Sequence, residues 1–168
     1  YQDGSVMKLI TIAKAIDDKK ISLSSKIDCR KEFNYGSYTI NDYIPKNAYL
    51  TPEEVLLFSS NIGVSRIAQS IGWLRIRDFY NFLLKNSVSM NGQLPEKDEG
   101  IDLKTEFDTI TASFGHSLYL SPFNYSSAVA AIVNGGYSIK PALAKARQLI
   151  RNVKVFKREA TSQFVRNY

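Results

Sequence analysis

The chain has 168 residues, of which 44% are hydrophobic and 23% are charged, with a formal net charge of +6. These values are ordinary for one globular domain and argue against an intrinsically disordered polypeptide. No apolar run approaches the roughly 18 residues of a membrane-spanning helix, and the single cysteine, Cys29, excludes an internal disulfide or a thiolate metal cluster. We expect Cys29 to be a passive thiol.

Positive charge is concentrated near the end of the chain. Such a patch can attract nucleic acid or anionic lipid, but a solvated surface is the more common situation. We therefore predict no nucleic-acid partner. The basic residues concerned are Lys140, Lys145, Arg147, Arg151, Lys154, Lys157 and Arg158.

Helices and short strands are predicted in the first third of the chain. Apolar residues recur at helical spacing from about Ser5 to Lys19. Residues 22–43 have no helical period, and their turn residues and alternation predict short strands. A second helix is predicted to begin at Thr51-Pro52-Glu53-Glu54, because Thr51 and Glu54 form a capping box around Pro52.

The remaining elements are also predicted to be mostly helical. Further helices are expected over 62–71, 74–84 and 121–133, the last being closed by Asn-Gly-Gly. Residues 86–107 are predicted to be a long polar connection, and 137–149 a strand or extended segment. A helix is expected to begin in 161–168. No second domain is indicated, so the predicted organisation is one domain over residues 1–168.

Ser5-Val6-Met7-Lys8 has the form Ser-x-x-Lys at a helix start. One helical turn puts Ser5 and Lys8 on the same face, so the lysine can reach the serine hydroxyl. A serine becomes a good nucleophile when a base takes its proton, and a lysine with a lowered pKa can be that base. Taken alone, the motif more often represents a capping serine followed by a surface lysine than a catalytic pair.

Ser59-Ser60-Asn61 follows the second predicted helix. Ser59 could relay a proton between Lys8 and a leaving amine, and the Asn61 amide could hold a substrate peptide bond. Taken alone, the triplet is also typical of an ordinary turn between helices.

Five segments, in order, resemble class B penicillin-binding proteins across nearly the whole chain. YQDGSVMKLITIAKAID resembles their active-site helix, and IDC followed by YGSYTINDY resembles the stretch after it. LTPEEVLLFSSNIGVSRIAQSIG is similar to the segment with the Ser-x-Asn motif, and LPEKDEG to a Leu-Pro-x-Glu region. SFGHSLYLSPFNYSSAVAAIVNGGYSIKPAL resembles the Gly-rich turn and the helix that follows it.

The resemblance implies a serine D,D-transpeptidase, which cross-links peptidoglycan stem peptides at D-Ala-D-Ala and is acylated by penicillin and other beta-lactams. At the matching positions, Ser5 is the nucleophile, Lys8 its base, Ser59 the proton relay and Asn61 the substrate contact. Neither a cofactor nor a metal is implied. His116 is expected to be a structural or surface histidine, because the family does not use histidine catalytically.

The implied fold is the α/β (α+β) beta-lactamase/D,D-transpeptidase-like fold, of which this chain should contain mainly the helical lobe with a few short strands. The family's third motif, Lys-Thr/Ser-Gly, occurs nowhere in the sequence. We therefore expect a partial transpeptidase domain that stops before this motif and has impaired activity. A second departure is Ser117 in the Gly-rich turn, where many relatives have glycine.

The resemblance also implies a location and partners. The parent protein is expected on the extracytoplasmic face of a bacterial inner membrane, with an anchor upstream of this chain. A cell-wall glycosyltransferase, or proteins of the division or elongation machinery, would be its partners. Two alternatives remain at this stage: a non-catalytic remnant or basic interaction module, and a serine beta-lactamase or beta-lactam sensor.

Overall fold

The computed structural model describes residues 4–85, 103–118, 122–139, 151–157 and 159–160. Three sequence predictions fall partly or wholly outside the described residues. They are the polar connection over 86–102, the extended segment over 140–150 and the helix over 161–168. Four residues of the basic cluster also lie outside the described residues, namely Lys140, Lys145, Arg147 and Arg158.

The central element is helix α1 (Met7–Asp17), which follows a 3-10 turn over Gly4–Val6. The helix predicted from about Ser5 is therefore confirmed. Met7, Ile10 and Ala13 have no exposed surface, because α1 is surrounded by other helices. Burial of each large apolar side chain contributes about 1.5–3 kcal/mol, so this packing fixes the helix that carries Ser5 and Lys8.

Four short strands follow α1, of which β1, β2 and β3 lie within the predicted range of 22–43, whereas β4 lies beyond it and was not predicted. Strand β1 (Ile27–Asp28) pairs with β4 (Tyr49–Leu50), and β2 (Phe33–Tyr35) pairs with β3 (Tyr38–Ile40). Both pairs are antiparallel. The β2–β3 hairpin leads directly to Asn41 and Asp42, which contact the candidate site.

Three helices come next: α2 (Pro52–Leu57), α3 (Asn61–Ile71) and α4 (Trp73–Lys85). The predicted capping box at the start of α2 is present: Thr51 Oγ1 accepts the Glu54 N–H, and the Glu54 carboxylate accepts the Thr51 N–H. Helix α3 packs against α1. This packing brings the turn between α2 and α3 to the beginning of α1.

The second half contains α5 (Glu106–Ala112), α6 (Pro122–Val133), β5 (Tyr137–Ile139) and β6 (Arg151–Lys154). Helix α6 and the strand at 137 are as predicted. Helix α5 was not predicted, and the polar connection was wrong in extending to Phe107. Seven residues are too few to show a clear helical period, although a capping box between Thr105 and Asp108 marks the start of α5.

The described residues form an α+β structure in which six α-helices accompany three two-stranded antiparallel sheets. The core is mainly helical, which confirms the predicted fold class. The C-terminal segment returns to the centre of the molecule: Phe156 is buried against Phe79, and the Lys157 N–H donates to Asp17 at the end of α1. Within the described ranges, no helix is both long enough and apolar enough to cross a bilayer.

Candidate active site

Ser5 lies in the 3-10 turn immediately before α1, and its side chain is exposed. Gly4, which precedes it, has a φ of +49°, a left-handed conformation that glycine adopts at little cost. This sharp entry places Ser5 at the N-terminal end of α1. The free N–H groups and the dipole at such an end favour negative charge, so the position suits a developing oxyanion.

Lys8 lies one turn further along α1 and is only 2% exposed. Its ammonium group donates to two oxygens of Ser59, the carbonyl at 2.6 Å and the hydroxyl at 2.8 Å. The Ser59 hydroxyl also shares a hydrogen bond of 2.7 Å with the Ser5 hydroxyl. The Ser59 hydroxyl thus bridges Lys8 and Ser5, and the structure brings together three of the four predicted site residues in one hydrogen-bonded chain.

Burial lowers the pKa of Lys8 from 10.5 to about 8. Desolvation disfavours the charged ammonium, and the carboxylate of Asp42 opposes this effect only in part. A lysine with such a pKa is partly neutral near physiological pH, whereas an exposed lysine is almost entirely protonated. The site therefore contains a basic amine that can accept a proton from a hydroxyl.

Ser59 occupies the turn between α2 and α3 with a φ of +53°. This left-handed conformation is unfavourable for a residue with a β-carbon, and strain of this kind persists only where surrounding contacts impose it. The turn is held by the Ser60 N–H, which donates to Val55, and by the Ser60 side chain, which caps α3. The strained conformation directs both the carbonyl and the hydroxyl of Ser59 to Lys8.

Asn61, the fourth predicted site residue, is the first residue of α3 and is half-buried. Its side-chain amide donates to the Asn41 carbonyl at 3.4 Å, a long and therefore weak hydrogen bond. This contact links the Asn61 side chain to the segment that follows β3. Its carbonyl oxygen and second N–H are chemically suited to an incoming peptide bond.

The Gly-rich turn after α5 packs against the beginning of the site. Gly115 has a φ of +92°, and a β-carbon there would lie 1.9 Å from the Gly4 carbonyl oxygen. Only glycine allows this approach to the residue before Ser5. Ser117 also has a positive φ, of +63°, and its hydroxyl shares a hydrogen bond with Thr111. Ser117 thus adopts the left-handed conformation that favours glycine, with its hydroxyl hydrogen-bonded to the last turn of α5.

Cys29 and His116, the two other residues considered in the sequence analysis, lie in different surroundings. Cys29 is buried, and burial raises the pKa of its thiol, which opposes formation of a reactive thiolate. His116 is exposed, and its ring packs edge-on against Phe114.

Asp42 is a site residue that the sequence reasoning missed. It is 18 positions from Ser60 and 34 from Lys8, so no local spacing connects it with either residue. Its only sequence signal was its place in the YGSYTINDY segment, which was recognised as similar to the family without any role being assigned to Asp42.

A family model described as the penicillin binding protein transpeptidase domain matches residues 1–166. The chain belongs to the penicillin-binding protein transpeptidase family. Among curated proteins, it is 31% identical over 140 residues to a probable peptidoglycan D,D-transpeptidase FtsI of Caulobacter vibrioides, covering 81% of this chain and 23% of that protein. It is 26% identical over 174 residues to a probable peptidoglycan D,D-transpeptidase PenA of Neisseria meningitidis, covering 99% and 29%.

Solved structures show the same fold. The transpeptidase domain of Burkholderia pseudomallei penicillin-binding protein 3 superposes with a TM-score of 0.83 at 21% identity, covering 97% of this chain and 51% of that one. A Burkholderia ambifaria protein described as a peptidoglycan glycosyltransferase superposes with a TM-score of 0.81 at 22% identity, covering 97% and 53%. The chain thus spans about half of these two solved chains and less than a third of the two curated relatives described above.

Proposed function

We propose that the chain supplies the nucleophile, the base and the proton relay of a serine D,D-transpeptidase. The observation that carries this proposal is the continuous hydrogen-bonded chain from Ser5 through Ser59 to the buried Lys8. The names of the similar curated proteins support the same reaction, the cross-linking of peptidoglycan.

The geometry supports a two-step acyl transfer. Ser5 Oγ attacks the carbonyl carbon of the penultimate D-Ala, and its proton passes through the Ser59 hydroxyl to neutral Lys8. The C–N bond then breaks, and Lys8 returns the proton through Ser59 to the amine of the departing D-Ala. An amine of a second stem peptide attacks the Ser5 ester, forms the new amide bond and releases Ser5 with its proton restored.

Two further groups support substrate binding and charge stabilisation. The N-terminal end of α1 favours the oxyanion that forms beside Ser5. We assign the Asn61 amide, which carries both a donor and an acceptor, to binding of the stem-peptide backbone. In the family, the Lys-Thr/Ser-Gly strand binds the substrate carboxylate and supplies a second oxyanion N–H. Because the sequence has no such motif, we expect the 168-residue chain alone to react roughly 100- to 1000-fold more slowly than one that has it.

The partners follow from this reaction. The substrates are peptidoglycan stem peptides ending in D-Ala-D-Ala, and beta-lactams acylate the same Ser5. Through its parent protein, the chain acts on the extracytoplasmic face of the bacterial inner membrane with a cell-wall glycosyltransferase or with division or elongation proteins.

Release of D-Ala from a synthetic peptide ending in D-Ala-D-Ala tests the proposal. The chain is assayed alone and in a form extended through a Lys-Thr/Ser-Gly strand, with and without an amine acceptor. We expect D-Ala release from the extended form, diversion of the acyl group to the acceptor, and loss of both with Ser5→Ala. Ser70→Ala, at the far end of α3, is the matched control and should retain activity.

D-Ala release that persists in Ser5→Ala would contradict the proposal. Absence of release from the extended form would contradict it too, and would favour a non-catalytic module.

A further inference from the structure

We propose that Asp42 is a positioning residue, which holds the Ser59 turn in the strained conformation that connects Ser5 with Lys8. The proposal rests on the proposed function, because it assigns Asp42 a role in the acylation of Ser5. It concerns a buried carboxylate that touches neither reacting hydroxyl.

Both oxygens of the Asp42 carboxylate are used by the turn between α2 and α3. Oδ2 accepts the Ser60 hydroxyl at 2.7 Å, and Oδ1 accepts the Ile62 N–H at 2.9 Å. The Ser60 oxygen in turn accepts the Gly63 N–H at 2.9 Å. Asp42 therefore binds the residues on both sides of Asn61 and fixes the first turn of α3.

Both partners of the Asp42–Ser60 hydrogen bond are buried, which makes its loss costly. Asp42 is 8% exposed and Ser60 is 1% exposed, so water does not readily replace either partner. Hydrogen bonds to a charged group are stronger than those between neutral groups, and a buried donor that loses such a partner is left unsatisfied. Two such bonds can therefore hold the turn in the left-handed conformation that is otherwise unfavourable for a residue such as Ser59.

The neighbouring residue strengthens this arrangement. The Asn41 carbonyl accepts the Asn61 side-chain amide in a weak hydrogen bond, so two consecutive residues after β3 contact the chain immediately after Ser59. The β2–β3 hairpin is thereby linked to the candidate site. Without Asp42, relaxation of the backbone at Ser59 would move the hydroxyl that bridges Ser5 and Lys8.

The charge of Asp42 has a second effect, which can be separated from the first. Among the charged groups of the described residues, Asp42 raises the pKa of Lys8. The same amine also donates hydrogen bonds to the Ser59 carbonyl and hydroxyl. A role through charge alone would therefore shift the pH dependence of acylation. A positioning role would lower the maximum rate reached at high pH.

The test measures the acylation rate with a chromogenic beta-lactam from pH 6 to 10, for the extended form of the chain. Asp42→Ala removes both acceptors, whereas Asp42→Asn retains an acceptor for the Ile62 N–H and preserves the shape. We expect the plateau rate to fall roughly 10- to 100-fold in Asp42→Ala and less in Asp42→Asn, because small displacements of reacting groups have effects of this size. The expected loss is in the rate at saturating beta-lactam, with little change in the concentration for half-saturation.

Asp108→Asn is the matched control, because the Asp108 carboxylate, like that of Asp42, accepts an N–H and a hydroxyl hydrogen bond at the N-terminal end of a helix. Its loss should lower the midpoint of thermal unfolding without lowering the plateau rate. If Asp42→Ala fails to fold, Asp42→Asn and amide hydrogen exchange at Ile62 decide the question. Faster exchange at Ile62 together with a lower plateau supports the role.

A plateau unchanged in folded Asp42→Ala, with only a shift of the pH profile, would overturn the positioning role while leaving the proposed function intact. Where only Asp42→Asn folds, faster exchange at Ile62 with an unchanged plateau would overturn it as well. A plateau lowered equally by Asp108→Asn would also overturn it, since the effect would then reflect general loss of stability. Absence of acylation in the unsubstituted extended form would instead refute the proposed function, and the role of Asp42 would fall with it.

Discussion

At the scale of single residues, the site combines two unfavourable features that serve the same contact. Lys8 is buried although it is ionisable, and Ser59 has a left-handed backbone although it is not glycine. Each feature reduces the stability of the folded protein, and both serve the hydrogen bond between the Lys8 amine and the Ser59 hydroxyl. These residues therefore permit predictions in which stability and reactivity change separately.

Two substitutions at Ser59 separate its backbone from its hydroxyl. Ser59→Gly and Ser59→Ala both remove the hydroxyl, but only glycine relieves the strain at a φ of +53°. We expect the glycine variant to be more stable than the alanine variant by about 1 kcal/mol in urea unfolding. Beta-lactam acylation should fall roughly 100- to 10,000-fold in both, as for loss of a proton-transfer group. Retained acylation in either variant would refute the relay role.

The proposed role of Lys8 predicts a pH dependence of acylation. With the neutral amine as the proposed base, the rate should rise with pH and level off above a pKa of about 8. A rate measured from pH 6 to 10 with a chromogenic beta-lactam checks this expectation. Lys8→Met should remove the pH-dependent rise together with most of the activity. A rate that is flat across this range would show that Lys8 is not the base.

At the scale of elements, the site depends on the close approach of two turns. The turn after α5 contacts the turn before α1 at a position where only a hydrogen fits, because a β-carbon at Gly115 would overlap the Gly4 carbonyl. The packing of α5 is thus connected to the position of Ser5. Helix α3 provides the other connection, since it begins at the turn that contains Ser59.

Alanine substitutions at Gly115 and Gly136 form a matched pair that tests whether the turn after α5 positions Ser5. Gly136 has a φ of +91° and would place a β-carbon 2.0 Å from the Phe156 carbonyl oxygen, almost the same clash as at Gly115. Both alanine variants should be destabilised, roughly by 1–3 kcal/mol. Only Gly115→Ala should also slow acylation of the folded protein. Equal acylation rates in the two variants would show that the α5 turn does not position Ser5.

At the scale of the whole molecule, the end of α1 is tied to the C-terminal segment through the buried carboxylate of Asp17, which accepts the Lys157 N–H. Burial raises the pKa of Asp17 above its ordinary value of 3.8. A raised pKa means that the folded state favours the protonated form, so its stabilising contribution is present at pH below 3.8 and is lost as pH rises through the raised value. Ionised Asp17 therefore lowers stability at neutral pH.

Two substitutions separate this charge from the hydrogen bond. Asp17→Asn keeps an acceptor for the Lys157 N–H and removes the buried charge, so it should raise the free energy of unfolding at pH 7. Asp17→Ala loses the acceptor as well and should lower it by about 1–3 kcal/mol. Urea unfolding at pH 7 distinguishes the two variants. Lower stability in Asp17→Asn would show that the ionised carboxylate stabilises this contact.

The sequence predicts the local features of this molecule well and its long-range contacts poorly. The helix at Ser5, the capping box at Thr51 and the strands in 22–43 follow from spacing and turn residues within about twenty positions. Asp42 and the Gly115–Gly4 contact depend on segments distant in the chain, which only the packed structure brings together. The family resemblance supplied the grouping of Ser5, Lys8 and Ser59, since neither short motif was specific alone.

The central claim is that Ser5 is the residue that becomes acylated. We would treat the chain, and its form extended through a Lys-Thr/Ser-Gly strand, with a fluorescent penicillin, digest with trypsin and locate the adduct by mass spectrometry. We expect a stable adduct at Ser5 in the peptide of residues 1–8, lost in Ser5→Ala, and formed faster in the extended form. An adduct on another residue, or no adduct in the extended form, would contradict the claim.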